Sequence, residues 1–176
     1  MNPLSAEPSK RLFFALPCTP AQRSAISQWR KHLQLRSGRP VTAQNFHLTL
    51  VFLGPVAVSQ IGAICAAVDQ LQVKGQPLSV QLDCLDVWRR SSLLLLRPQD
   101  PPPALGQLVY ALEQALLPFN LLPDAREFRA HLTLSRDYKV AVPEATEPPA
   151  FLLRADHFVL YESHKGQYRE LARWAL

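Results

Sequence analysis

The chain has 176 residues, of which 48% are hydrophobic and 19% charged, and its formal charge is +5. This length and balance predict one globular domain, or two small lobes with a shared core, and they exclude an intrinsically disordered chain. The longest apolar runs, residues 12–17 and 93–96, are far shorter than the roughly 20 residues that cross a bilayer.

The first half of the chain predicts alternating strands and helices. Residues 1–9 are polar and contain prolines, so we expect a disordered tail followed by a single domain over residues 10–176. The predicted elements are a buried strand over residues 11–16, a helix capped by Thr19 that stops near Ser37 and Gly38, a loop over residues 41–45, a strand over residues 46–53 bounded by Gly54 and Pro55, and a helix capped by Ser59.

The second half of the chain continues the mixture. The predicted elements are a strand over residues 78–82, a hairpin over 86–97 that turns at 89–91, a helix after residues 100–103 that Pro118 terminates, a strand over 128–135, an exposed loop over 139–149, a strand over 151–161, a turn at 164–168 and a last strand over 169–175. Together these elements predict an α+β or α/β fold with two packed layers.

Cysteine and arginine usage gives weaker guidance. The three cysteines, Cys18, Cys65 and Cys84, are odd in number and lack CxxC spacing, so we expect a reduced, cytoplasmic chain with neither a disulfide framework nor a zinc ribbon. Arginine outnumbers lysine by 14 to 5. Because its planar fork suits phosphate but is also common on ordinary surfaces, the excess favours an anionic partner only slightly.

The tetrapeptide HLTL occurs twice, at residues 47–50 and 131–134, and we call these segments the first and second HLTL motifs. The chain holds only five histidines and five threonines, so an identical repeat on two strand-like segments is hard to ascribe to chance. The motifs are 84 residues apart, close to half of the chain. The spacing predicts two related strand–helix–strand lobes, each of which delivers one motif.

Strand geometry indicates what the motifs can do. Side chains alternate between faces, so His47 and Thr49 share one face, as do His131 and Thr133, while the leucines bury the other face. Two histidines that face one centre suit general acid–base catalysis near neutral pH, and threonine hydroxyls can donate hydrogen bonds to phosphate oxygens. Such chemistry requires no metal, and we expect no cofactor.

The motifs and their flanks resemble the 2H phosphoesterase superfamily, and within it the LigT-like bacterial RNA 2′,3′-cyclic phosphodiesterases, once called 2′-5′ RNA ligases. The resemblance covers most of the chain. It is carried by RLFFAL at residues 11–16, GRPV at 38–41, HLTLVFLG at 47–54, FRAHLTLSRD at 128–137, LYES at 160–163 and ARWAL at 172–176. It implies an α+β, bilobal fold with two pseudo-symmetric lobes and antiparallel sheets around a central cleft.

The resemblance also implies an activity and a role for individual residues. The activity is metal-independent opening of an RNA 2′,3′-cyclic phosphate to a 2′-phosphate. His47 then matches the proton donor and His131 the proton acceptor, while Thr49 and Thr133 match the phosphate-binding hydroxyls. Arg136 matches a phosphate-pairing cation, although strand alternation puts it on the leucine face, so it must lie where the strand ends.

Other interpretations remain open on the sequence. Phe13 and Tyr161 are candidates for stacking on a base, although buried core aromatics are commoner. The same site could ligate or cleave 2′-5′ linkages, or only bind RNA ends without catalysis. A metal site is disfavoured because neither motif offers a second close ligand. The expected partners are RNA 3′ ends or nucleotides with a 2′,3′-cyclic phosphate, with no membrane, and a monomer is the expected state.

Overall fold

A computed structural model describes residues 6–121 and 127–176 of the chain. Three α-helices are interspersed with ten strands in this part of the chain. The helices are α1 (Pro20–Lys31), α2 (Val58–Asp69) and α3 (Pro103–Leu116), and the strands are β1 (Ser9–Pro17), β2 (Arg39–Pro40), β3 (His47–Ala57), β4 (Leu78–Leu82), β5 (Cys84–Trp88), β6 (Leu93–Arg97), β7 (Leu132–Arg136), β8 (Phe151–Ala155), β9 (His157–His164) and β10 (Gln167–Ala175). The order confirms the predicted α+β class.

The strands form two four-stranded sheets and one two-stranded sheet. The first lobe is built on the sheet β10-β9-β1-β3, the second on the sheet β2-β7-β6-β5, and β4 pairs with β8. Every pairing between these strands is antiparallel, as predicted. Each lobe therefore carries one HLTL motif, the first at the start of β3 and the second at the start of β7.

One hydrophobic core joins the two lobes. The leucines of both motifs, Leu48, Leu50, Leu132 and Leu134, are at most 3% exposed and belong to the same buried cluster as the inner faces of the helices. The apolar stripe of α3 is buried as its spacing predicts, at Leu105, Leu108, Val109, Leu112 and Leu116. Burial of the leucines fixes the opposite, polar face of each motif strand. None of the helices in the described residues is long and apolar enough to span a bilayer.

The predicted length of the first helix was wrong. Thr19 caps α1 as expected and also forms a capping box with Gln22, but the helix ends at Lys31 rather than near Ser37. His32 is its C-cap, and Gln34 adopts a left-handed backbone with φ of 49°. A left-handed residue cannot continue a right-handed helix, so the chain turns away there and brings residues 38–41 toward the second lobe.

Several other element boundaries also differ from the predictions. Ala57 is the N-cap of α2, so Ser59 lies inside the helix rather than capping it. The Ser59 N–H donates to Glu7 Oε1 at 3.1 Å. β3 passes Gly54, whose φ of 72° lets the strand bend, and ends at Ala57. The strand after residue 128 begins only at Leu132, and the strand over 151–161 is interrupted at Asp156.

The predicted disordered tail falls partly outside the described residues, which begin at residue 6. Ser9 already belongs to β1, and the carbonyl of Pro8 accepts a hydrogen bond from the Val58 N–H at 3.0 Å. The second half of the expected tail is therefore held against the start of α2.

Candidate active site

The two HLTL motifs meet at a cavity of about 610 Å³ between the lobes. His47 and Thr49 line it from β3, Thr133 lines it from β7, and His131 lines it from the position just before β7. The four side chains are all partly buried. The structure therefore brings together the two imidazoles and two hydroxyls that strand alternation placed on the polar faces.

Both imidazoles are oriented by the same local hydrogen bond. His47 Nδ1 lies 2.7 Å from the carbonyl oxygen of Asn45, and His131 Nδ1 lies 2.9 Å from the carbonyl oxygen of Arg129. A carbonyl can only accept, so Nδ1 carries the proton in each ring and Nε2 remains as the second, variable site. The Nε2 of His47 lies 2.8 Å from Thr49 Oγ1, so the hydroxyl donates to the neutral ring.

A β-bulge lies at the last residue of each motif. Successive residues of β1, Phe14 and Ala15, pair with Val51 and Thr49, which leaves Leu50 as the extra residue in β3. In the second lobe Leu94 pairs with Ser135 and Leu95 with Thr133, which leaves Leu134 as the extra residue in β7. A bulge interrupts the alternation of side chains, so the fifth residue after each histidine returns to the cavity face.

The bulges explain the placement of Arg136 and add a residue that the sequence did not predict. Arg136 is the last residue of β7 and lines the cavity, although simple alternation assigned it to the leucine face. Phe52 is its counterpart after the first motif and also lines the cavity. The buried pairs Leu50–Val51 and Leu134–Ser135 mark the lost alternation in each strand.

Neighbouring segments hold the second bulge in place. The carbonyl of Leu134 accepts hydrogen bonds from the Val41 N–H at 2.9 Å and from the Arg30 guanidinium at 2.8 Å. Gly38 lies so close to the end of β7 that a Cβ there would be 2.6 Å from the Arg136 carbonyl oxygen. The segment after α1 thus sets the position of Arg136.

The two histidines lie against different aromatic side chains. The His47 ring centroid is 5.0 Å from that of Phe13 and 5.2 Å from that of Tyr168. The His131 ring is 4.5 Å from that of Trp88, and the Arg129 guanidinium lies over the same indole at 4.2 Å. The ring pairs are tilted or edge-on, and these contacts restrict the movement of both imidazoles.

The two predicted stacking residues are placed differently from one another. Phe13 lines the cavity but is only 4% exposed, because it packs beneath His47. Tyr161 packs against Phe13 at 5.4 Å and is not among the described residues that line the cavity. Tyr168 occupies the wall instead, and its hydroxyl lies 3.5 Å from Arg136 Nη2.

The cavity has a cationic lining. Arg11, Arg39 and Arg136 face it, and the described lining residues include no aspartate or glutamate. Arg39 is paired with Asp137 at 2.7 Å, whereas Arg136 contacts the neutral hydroxyl of Tyr168. An anion in the cavity therefore meets positive charge and hydroxyl donors without acidic repulsion.

Burial and positive charge favour the neutral forms of both imidazoles. Burial lowers the pKa of His47 to about 4; the Asn45 carbonyl opposes this shift, and the charges of Arg136 and His131 add to it. Burial also lowers the pKa of His131, with Arg129 and Arg136 acting in the same direction and the hydrogen bond to the Arg129 carbonyl opposing it. An anion bound between the rings reverses the charge effect and favours an imidazolium.

Three features of the site escaped the sequence analysis. Phe52, Tyr168 and Trp88 reach the cavity or its histidines, and no motif marks them. Comparison of the two repeats at the fifth residue after each histidine, Phe52 against Arg136, was the available signal. Tyr168 is brought to the site only through the pairing of β10 with β9 and of β9 with β1, which local sequence does not encode.

Comparison with known proteins places the chain among characterised enzymes. The sequence model of the family described as LigT like Phosphoesterase matches residues 16–93, which include the first HLTL motif. The chain is 35% identical over 174 residues to the RNA 2′,3′-cyclic phosphodiesterase of Escherichia coli strain K12, covering 95% of this chain and 97% of that enzyme.

Solved structures show the same relationship. A crystal structure of a phosphoesterase is similar with a TM-score of 0.86 and 33% identity, covering 96% of this chain and 99% of the other. The structure of Escherichia coli LigT complexed with 3′-AMP is similar with a TM-score of 0.86 and 34% identity, with the same coverage. These matches extend over both lobes and therefore include both motifs.

Proposed function

The chain belongs to the LigT-like phosphoesterases, and from this premise we propose that it hydrolyses the 2′,3′-cyclic phosphate at RNA 3′ ends to a 2′-phosphomonoester. Its relatives in Escherichia coli, Geobacillus stearothermophilus and Bacillus subtilis are RNA 2′,3′-cyclic phosphodiesterases. The observation that carries the proposal for this chain is the pair of imidazoles, His47 and His131, held with the same tautomer on one arginine-lined cavity.

The proposed reaction is a displacement at phosphorus. Neutral His131 takes a proton from a water molecule through Nε2 as the water oxygen forms a bond to phosphorus. The bond from phosphorus to the 3′ oxygen breaks, and protonated His47 gives the Nε2 proton to that oxygen. The products are a free 3′ hydroxyl and a 2′-phosphate, and the two histidines exchange protonation states, which proton exchange with solvent restores.

The remaining site residues stabilise charge in this proposal. Thr49 and Thr133 donate hydrogen bonds to the non-bridging phosphate oxygens, and the Arg136 guanidinium compensates their negative charge. When His47 is protonated its Nε2 is a donor, so the Thr49 hydroxyl no longer donates to the ring and is free to donate to the phosphate. Protonation of His47 and phosphate binding are therefore coupled through one hydroxyl.

The site is proposed to work without a metal or a cofactor, because proton transfer by two imidazoles supplies both the attacking and the departing group. We also propose that the chain acts as a monomer, since both motifs come from one chain. We place it in the cytoplasm because its three cysteines are free thiols, as is usual in a reducing compartment. Two other activities remain candidates for the same site: formation or cleavage of 2′-5′ linkages, and capture of RNA ends without turnover. The identity of the product distinguishes the first alternative, and the absence of a product distinguishes the second.

Incubation with an RNA oligomer that ends in a 2′,3′-cyclic phosphate tests the proposal. We expect a single product with a 2′-phosphate and a free 3′ hydroxyl, located by ³¹P and ¹H NMR, and the same rate in excess EDTA. A 3′-phosphate would reverse the assignment of the leaving oxygen, loss of turnover in EDTA would contradict metal independence, and binding without turnover would leave only the capture module. A matched RNA with a linear 3′-phosphate is the control.

The pH dependence should differ between free enzyme and complex. In the free enzyme both histidine pKa values lie below their usual 6.5, so the singly protonated pair is most abundant on the acid side of that value. The bound phosphate anion raises both pKa values. We therefore expect the basic limb of kcat to lie at higher pH than the basic limb of kcat/KM.

The variant Arg136→Gln tests whether nearby charge sets the histidine pKa values. Removal of the guanidinium takes away a charge that lowers both histidine pKa values, so the basic limb of kcat/KM should move to higher pH. Coincident limbs for kcat and kcat/KM in the natural enzyme would contradict the proposed coupling between phosphate and the imidazoles.

A further inference from the structure

The two HLTL motifs share their hydrogen bonds and bulges but differ in the aromatic rings that contact their histidines. His47 lies against the rings of Phe13 and Tyr168, whose centroids are 5.0 Å and 5.2 Å from its own. His131 lies against the indole of Trp88 at 4.5 Å, with the two ring planes tilted by 56°. An indole attracts a cation more strongly than a phenyl or phenol ring does. The histidine proposed as the base therefore has the better aromatic partner for a positive charge.

Trp88 reaches His131 from outside the cavity. It is the last residue of β5, which pairs with β6 and through β6 with β7, and His131 lies just before β7. Trp88 is not among the described residues that line the cavity with both histidines, and it lines a separate cavity of about 480 Å³ instead. An effect of the indole on the reaction therefore passes through the His131 ring rather than through contact with the substrate.

The charged groups around His131 act in the opposite sense to the indole. Burial lowers the pKa of His131, and the charges of Arg129 and Arg136 lower it further. The charge of a second protonated imidazole, at His47, is also unfavourable, since the two rings repel each other when both are protonated. Two contacts favour the protonated ring: the hydrogen bond to the Arg129 carbonyl and the π face of Trp88.

The proposed reaction changes the charge of the ring that contacts the indole. His131 starts neutral and becomes an imidazolium as it takes a proton from water. A cation within about 6 Å of an indole centroid is stabilised, and more strongly where water is excluded. The neutral imidazole gains less from the same contact, so the stabilisation is larger in the transition state than in the ground state. An interaction with that property raises kcat.

We propose that Trp88 is a positioning residue whose indole stabilises the imidazolium that forms on His131 during attack by water. The inference rests on the proposed function, because it requires His131 to act as the base. It extends that function to a residue outside the described lining of the cavity, and it gives a physical reason why His131 rather than His47 suits the role of base.

The first measurement is the pKa of His131 in the free enzyme. NMR of the imidazole Cε1 proton provides it, with the signal assigned by comparison with His131→Gln. Trp88→Leu keeps an apolar side chain but removes the π face, so the pKa should fall by about 0.5–1.5 relative to the natural enzyme. Trp88→Phe, which disturbs the packing less, should lower the pKa by a smaller amount. If the indole only excluded water, a smaller side chain would admit water and the pKa would rise toward 6.5 instead.

The second measurement separates kcat from KM for hydrolysis of a cyclic-phosphate RNA. Trp88→Leu should lower kcat by roughly 3- to 30-fold, which is the same loss of imidazolium stability expressed as a rate. Its KM should stay within about twofold of the natural value, because Trp88 is not among the described residues that line the cavity.

Two further variants serve as controls. Trp29→Leu removes a partly buried indole on α1 that packs against Phe151 at 5.6 Å, and it should change neither the His131 pKa nor kcat. Arg129→Met removes the guanidinium that lies over the Trp88 ring at 4.2 Å but keeps the backbone carbonyl, so the His131 pKa should rise.

The outcomes of these experiments are distinct. A His131 pKa that rises or stays unchanged in both Trp88 variants would overturn the proposal, as would a kcat loss in Trp88→Leu no larger than that in Trp29→Leu. A loss expressed only in KM would also overturn it, because the indole would then act on substrate binding. Absence of turnover by the natural enzyme would contradict the proposed function itself. The NMR titration needs no substrate, so it would still decide whether the indole stabilises the imidazolium.

Discussion

Replacement of either motif histidine should nearly abolish opening of the cyclic phosphate. We expect His47→Ala and His131→Ala each to lower kcat by about 10²- to 10⁴-fold, the contribution of one general acid or base. The measurement is single-turnover hydrolysis of a cyclic-phosphate RNA. Because the two imidazoles act in the same displacement at phosphorus, the loss of kcat in the double variant should be far smaller than the product of the two single losses.

The chain offers a matched control in His32→Ala. His32 is exposed at the C-cap of α1, so its replacement should leave turnover within twofold of the natural enzyme. Thermal unfolding of each variant separates a lost catalytic group from a lost fold. Hydrolysis retained in either motif variant, with the fold intact, would refute a mechanism that uses two histidines.

The sequence could predict the centre of the site because strand alternation is a local property. His47 with Thr49, and His131 with Thr133, needed only the period of two and a buried leucine face. The repetition of the motif then predicted that two related lobes bring these strands together, which neither segment alone could indicate. The positions of these four side chains in one cavity agree with that prediction.

The direction of the Arg136 side chain could not be predicted from strand alternation alone. Alternation put it on the leucine face and required the strand to end there, and β7 does end at Arg136. Its direction, however, comes from the bulge at Leu134, which exists only through pairing with Leu94 and Leu95. A bulge is decided by two strands and by the donors that satisfy its carbonyl, here Val41 and Arg30, which are distant in sequence.

The end of α1 was missed for a related reason. Local propensity would allow the helix to continue after Lys31. In the structure, however, Leu33 is buried, with only 5% of it exposed, and Gln34 adopts a left-handed backbone conformation. Tertiary packing overrides helix propensity there. The consequence reaches the site, because the earlier exit brings Gly38, Arg39 and Pro40 alongside the end of β7.

Gly38→Ala should therefore damage stability and activity together. The native φ of 81° is unfavourable for alanine by about 1–2 kcal/mol, and the new Cβ would lie 2.6 Å from the Arg136 carbonyl oxygen and 2.7 Å from Ser135 Oγ. Relief of that overlap costs a further 1–3 kcal/mol or so. We expect the free energy of unfolding to fall by about 2–5 kcal/mol, measured by urea denaturation.

The activity loss has a separate cause and a separate measurement. The clash pushes on the backbone that carries Arg136, so the guanidinium should move away from the phosphate, and kcat/KM should fall by roughly 10- to 100-fold well below the unfolding temperature. Gly62→Ala is the matched control, because Gly62 lies in α2 and an added Cβ would have nothing within 4 Å. The free energy of unfolding of that variant should rise by about 0.5–1 kcal/mol, and its turnover should be unchanged. A Gly38→Ala enzyme that is destabilised but fully active at low temperature would show that the close approach supports the fold alone, and that Arg136 is held by the bulge without help from Gly38.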